Sequence, residues 1–170
     1  IDSIFASPFE RTKETAEIIG KVLGIKTEAD ARLNEINCGI FDGRPVREYH
    51  GHYFSYYERF EKAPSNGETL RDVAKRTFSF VKDLEKKYKN KAILIVTHDY
   101  TAWMLDAAMT GKSEREAVGE KEKRGDDFFH NGEGGEIYFW NLPRNEFGFG
   151  DLHRPYIDEI ALKCDQCGNK

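Results

Sequence analysis

Residues 92 to 97, read "AILIVT", form an unbroken apolar run rich in β-branched side chains, and no other feature limits the fold so tightly. A run this short and this apolar reads as a strand covered on both faces, as found in parallel sheets flanked by helices. It stops abruptly at Thr97-His98-Asp99. A histidine where a buried strand surfaces can be a hydrogen-bonded structural residue, a metal ligand or part of a pocket assembled from elsewhere in the chain.

The flanking segments support layers of helix on sheet. Ile4-Phe5-Ala6 reads as the end of a short apolar strand, so the chain is expected to open inside structure, with its start missing. Ser7-Pro8-Phe9-Glu10 then spells a helix opening, with Ser7 as N-cap, Pro8 in the first turn and Glu10 completing a capping box. The expected helix runs from 8 to 23, with Phe9, Ala16, Ile19, Val22 and Leu23 as its apolar face and Gly24 as its stop. Residues 25 to 66 have no long period and form an excursion with room for a short helix. Leu70, Val73, Ala74, Thr77, Val81, Leu84 and Tyr88 repeat at three and four, and Thr69 with Asp72 marks the start of the clearest helix. The lysines at 86, 87, 89 and 91 complement its C-terminal dipole. A helix is expected over 101 to 109, a solvated loop over 119 to 135 and a last strand over 136 to 141. The fold class that follows is α/β, a three-layer sandwich with a mainly parallel sheet.

Composition narrows the function. A chain of 170 residues suits one main globular unit, and no apolar stretch approaches the roughly 20 residues that span a bilayer. No membrane role and a cytoplasmic location are therefore expected, and the cysteine pattern fits a reducing compartment. A net charge of −4 argues against a broad nucleic-acid footprint but leaves room for a local pocket for one small anion.

Ligands of open parallel sheets sit beyond the carboxyl ends of the strands, which here are Ser7 and His98. Arg11, one turn into the first helix, could add its guanidinium to the helix N-terminus and clamp a phosphate-like anion. Taken singly, Arg11 also reads as a solvated helix arginine, and Glu35 as an exposed loop carboxylate.

Four stretches in order carry a resemblance. "FASPFERTKETAEII" resembles the S-P-x-x-R-x-x-x-T-A segment of the histidine phosphatase superfamily, which includes phosphoglycerate mutases. "RLNEINCGIFDG" resembles its acid-bearing L-x-E-x-x-x-G segment, "PSNGETLRDVAKR" its P-x-G-E-S-x-x-D-x-x-x-R stretch, and "ILIVTHDYTAWML" its late strand and histidine. The resemblance covers residues 1 to about 141 and implies a phosphoglycerate mutase-like fold. It implies that Arg11 holds the equatorial phosphoryl oxygens, that His98 stabilises charge in flight, and that Glu35 gives the leaving alcohol its proton. Glu68 and Arg76 match the family and could serve either substrate or architecture. The expected partner is a phosphomonoester or other small anion, and no cofactor is implied. Two departures stand out. Asp99 replaces a common glycine and could bring negative charge to the anion site. The family's nucleophile is a histidine in an R-H-G segment, and this sequence contains none; His50 and His52 lie in the excursion, away from its place. The domain, taken as residues 1 to 150, is thus expected to be incomplete at its N-terminus.

The stretch "DLHRPYIDEIALKCDQCG", residues 151 to 168, resembles isoleucyl-tRNA synthetases instead. The resemblance implies a phosphatase-like domain inserted in or fused to a synthetase, with residues 151 to 170 as the synthetase part. His153 and Arg154 read as scaffold. Neither the H-I-G-H nor the K-M-S-K-S nucleotide signature is present, so tRNA and ATP would engage only the rest of a full-length chain. Cys164 and Cys167 have zinc-ligand spacing, but one C-x-x-C is half a tetrahedral site, and zinc would need ligands from outside the segment. The alternative is a catalytically inactive anion-binding or structural insert.

Overall fold

The computed structural model describes residues 1–125 and 128–136. The expected strand over 136 to 141, apart from Glu136, and the whole segment 151–170, with His153, Arg154, Cys164 and Cys167, lie outside the described residues. The elements run β1 (Ser3–Ala6), α1 (Glu10–Leu23), β2 (Thr27–Ala29), α2 (Val46–Gly51), α3 (Glu58–Glu61), α4 (Leu70–Lys87), β3 (Ile93–Val96), α5 (Asp99–Thr110) and α6 (Glu114–Arg124), with short 3-10 turns at Ala31–Leu33 and Gly39–Phe41. The strands are parallel in the order β2-β1-β3. Ile4, Phe5 and Ala6 lie opposite Leu94, Ile95 and Val96.

Strand alternation splits the core between the two faces of the sheet. Phe5 points to the larger core, where α4 and α5 pack on each other with Phe78, Phe80, Trp103 and Met104. Ile4 and Ala6 point the other way, onto Ala16 of α1. Helix, sheet and helix give the expected three-layer α/β sandwich. No helix among the described residues is long and apolar enough to cross a membrane.

Several elements depart from expectation for identifiable reasons. Helix α1 begins after Phe9, which caps it without a side-chain bond, so Ser7 is not its N-cap. Its buried stripe is Thr12, Ala16 and Gly20, while Val22 is 81% and Leu23 45% exposed. Gly20 sets this rotation: a Cβ there would lie 2.5 Å from the Ile25 carbonyl oxygen, so the helix meets the chain leading into β2 by its small residues. Helix α4 follows its period, with Thr69 and Asp72 forming a reciprocal capping box. Strand β3 is covered on both faces as expected, with Ile93 and Ile95 packed against the larger core and Leu94 and Val96 against the smaller one, but its side chains are only half-buried, because among the described residues it is an outer strand. Residues 119 to 124, expected as loop, are the last two turns of α6, which a second capping box between Ser113 and Glu116 opens. The excursion supplies two short helices, α2 and α3.

Candidate active site

Strands β1 and β3 both end toward the same polar edge, which brings Ser7 and His98 together across the 91 positions between them. His98 Nε2 lies 2.9 Å from Ser7 Oγ. Nδ1 lies 2.8 Å from Arg11 Nη2, one turn into α1. The Phe9 ring packs edge-on against the imidazole at 5.1 Å and beneath the Arg11 guanidinium at 5.3 Å. His98 is 7% exposed, and burial with the nearby Arg11 and Arg76 charges lowers its pKa to about 4. It is therefore a neutral imidazole near pH 7.

Arg11 is exposed and opens into a cavity of about 610 Å³ shared with Phe9, Asn34, Glu35, Cys38, Asp42, Glu68 and Arg76. That size suits a small molecule. The Glu35 carboxylate accepts the backbone N–H of Ile36, yet burial outweighs that bond and pushes its pKa up to about 6. Burial likewise holds the Cys38 thiol up at about 11, so it is no thiolate near neutrality. His50 and His52 are absent from this wall; His50 Nε2 sits 3.1 Å from the Tyr100 hydroxyl.

Glu68 and Arg76 line the cavity, but their bonds are architectural. Arg76 donates to the Arg32 and Glu35 carbonyls and pairs with Glu68, which in turn accepts from the Asn37 N–H. Together they brace the segment that carries Glu35. Gly39 closes that segment with φ +55°, where a Cβ would fall 2.2 Å from the Ser65 carbonyl oxygen, so only glycine allows the two loops to meet.

Asp99 does not turn toward the anion cavity. One carboxylate oxygen accepts the backbone N–H groups of Phe128 and Phe129 at 2.7 and 2.8 Å, and the other pairs at 2.8 Å with the fully buried Lys121 of α6. The extra negative charge expected from this position is neutralised, though Asp99 still contributes to the raised pKa of Glu35.

The structure thus puts Arg11 and Glu35 on one cavity and His98 directly behind Arg11. Chemically, this arrangement can hold an anion with a fixed cation and offer a proton from a carboxylic acid near neutrality. Two contributors were not given these roles by the sequence reading, although it placed Ser7 at the ligand edge of the sheet. Ser7 was taken for a cap, and Asn34, which lines the cavity and accepts from Ser7 at 3.0 Å, carried no signal beyond its place beside Glu35. Among the described residues no group of three or more His, Cys, Asp or Glu side chains is arranged to hold a metal.

Known proteins share this framework. The chain is similar to phosphoserine phosphatase 1 of Hydrogenobacter thermophilus, with 27% identity over 116 residues, covering 65% of this chain and 55% of that protein. It is similar to the probable phosphoglycerate mutase GpmB of Erwinia tasmaniensis, also at 27% over 116 residues, covering 65% and 54%. The chain therefore spans about half the length of the curated relatives it matches. Among solved structures, native mycobacterial glucosyl-3-phosphoglycerate phosphatase superposes with a TM-score of 0.61 at 22% identity, covering 70% of this chain and 63% of that one, a likeness of fold. The sequence profile of the histidine phosphatase superfamily (branch 1) matches residues 1–118, well over half of the chain, and with the motifs at Arg11, Glu35 and His98 it places this protein in that superfamily.

Proposed function

We propose that this chain carries the phosphoryl-binding and proton-donating part of a phosphomonoester hydrolase that works through a phosphohistidine. The observation that supports it most is the cavity shared by exposed Arg11 and by Glu35, whose pKa stands at about 6, with neutral His98 bonded to the guanidinium. The relatives named as phosphoserine phosphatase and phosphoglycerate mutase point to the same substrate class.

In this reading Arg11 holds the equatorial oxygens, and His98 aims it through Nδ1 while helping to stabilise charge on the transferring group. An imidazole in line with the ester oxygen attacks phosphorus, the N–P bond forming as the P–O bond breaks. Glu35 gives its proton to the departing oxygen, so an alcohol leaves rather than an alkoxide. Water then attacks phosphorus, the N–P bond breaks, and the Glu35 carboxylate takes the water's proton. No histidine in the sequence lies in an R-H-G segment, so the reading assigns the attacking imidazole to a segment outside these 170 residues. The same fact favours a second reading, an anion-binding insert without turnover.

The resemblance of residues 151 to 168 adds that this domain is inserted in, or fused to, an isoleucyl-tRNA synthetase. tRNA and ATP would meet the protein only through the rest of that polypeptide, where Cys164 and Cys167 would offer half of a zinc site. A transcript joining this chain to a synthetase reading frame supports that clause; one ending without it refutes it.

Hydrolysis of an aryl phosphate tests the activity. The 170-residue chain is expected to show no turnover above background. A longer native protein carrying R-H-G should turn over, with His98→Ala lowering the rate. A protein with R-H-G that stays inert across a broad phosphomonoester panel supports the insert reading instead.

A further inference from the structure

The hydrogen bonds around His98 have one consistent arrangement of protons. Arginine has no acceptor, so His98 Nδ1, 2.8 Å from Arg11 Nη2, must accept. The proton of the neutral ring is then on Nε2, which donates to Ser7 Oγ at 2.9 Å. Ser7 Oγ also accepts the Phe9 backbone N–H at 3.3 Å. With both lone pairs occupied, the Ser7 hydroxyl proton goes to the Asn34 side chain, 3.0 Å away, which must present its oxygen there. Ser7 is fully buried and His98 nearly so, which keeps water from loosening this order. The Asn34 backbone is fixed as well, since the Thr101 hydroxyl donates to its carbonyl.

An amide with its oxygen committed to Ser7 turns its Nδ2 protons elsewhere, and Asn34 lines the cavity with Arg11 and Glu35. We infer that Asn34 is a binding residue for the tetrahedral oxyanion held by Arg11, its Nδ2 donating to one oxygen, and that Ser7 and His98 are the positioning residues that keep its carbonyl oxygen away from that anion. The inference rests on the phosphoryl-pocket reading and adds a neutral donor to it. Arg11 supplies charge; Asn34 supplies direction. A flipped amide would aim a carbonyl dipole at the anion, so the relay decides whether residue 34 attracts or repels.

Inorganic phosphate titrated into the ¹⁵N-labelled 170-residue chain tests this. The side-chain amide protons of Asn34 should shift along with the Arg11 side-chain signals and give the same Kd. Asn34→Asp keeps an acceptor for Ser7 but removes both donors and adds charge, and should weaken phosphate by about tenfold or more. Asn34→Ala should weaken it several-fold, and Ser7→Ala less than Asn34→Asp. If Arg11→Ala leaves phosphate binding unchanged, the pocket reading fails and the inference with it. If Arg11→Ala weakens binding while both Asn34 variants bind as wild type, the pocket stands and the inference is wrong. Unmoved Asn34 amide protons in the wild type would overturn the contact even if the variants bind poorly or fold poorly.

Discussion

Burial moves Glu35 and His98 in opposite directions, and the difference can be read in solution. Glu35 is raised to about 6, so its negative charge leaves the cavity as pH falls through that value. Sulfate keeps one charge state there, and its affinity should rise severalfold between pH 7.5 and 5 by isothermal titration; Glu35→Gln should flatten the profile. Burial lowers His98 to about 4 from its ordinary 6.5. As pH falls below 6.5 the unfolded chain takes up a proton at His98 that the folded chain refuses, so this contribution to stability is full above 6.5 and lost toward 4. Glu35 acts in the opposite sense, gaining stability between 6 and its ordinary 4.5, but its displacement is the smaller. Urea midpoints should therefore drop from pH 7 to 5, more steeply in Glu35→Gln, whereas in His98→Gln, where the Glu35 contribution is left unopposed, the drop should vanish or reverse. Arg11, Glu35 and His98 could be picked out from the sequence because each sits in a motif, and the fold brings Arg11 into contact with His98 and onto one cavity with Glu35. Ser7 was misread because Ser-Pro-x-Glu spells a capping box locally, and Asn34 was invisible because its orientation is set by a bond spanning 27 positions.

Elements were legible where local pattern governs and obscure where a distant partner does. Helix α4 follows its own apolar period and capping box. The core face of α1 was only partly legible: Ala16 and Ile19 pack inward as expected, but Val22 and Leu23 are exposed because Gly20, which the period ignores, lets the backbone approach Ile25. The later part of α6, residues 119 to 124, looked like solvated loop because charge dominates its composition, yet Lys121 is wholly buried beside Tyr100 and Trp103 and ion-paired to Asp99. Lys121→Met should cost about 2 to 4 kcal/mol in urea unfolding, since it leaves Asp99 without its cation in a mostly buried place. Asp99→Asn added to that variant keeps an acceptor for Phe128 and Phe129 and should recover part of the loss. A double variant no more stable than Lys121→Met would show that packing, and not charge, holds α6.

For the whole molecule, the apolar run at 93–96 announced a parallel sheet with helices on both sides, and that is what forms. What it could not announce is position within the sheet, because lateral order depends on connections and not on the strand's own residues; among the described strands β1, the less conspicuous segment, lies at the centre. Placing β3 on the outside has a further consequence. Among the described residues it has a neighbour on one side only, so this β-prone apolar strand presents the backbone N–H and C=O groups of every second residue on the other. Such an edge can recruit the same strand from another molecule and seed cross-β assembly. The isolated 170-residue chain should scatter light increasingly with concentration and bind thioflavin after a lag that shortens with concentration, whereas a chain that stays monomeric at millimolar levels has this edge covered.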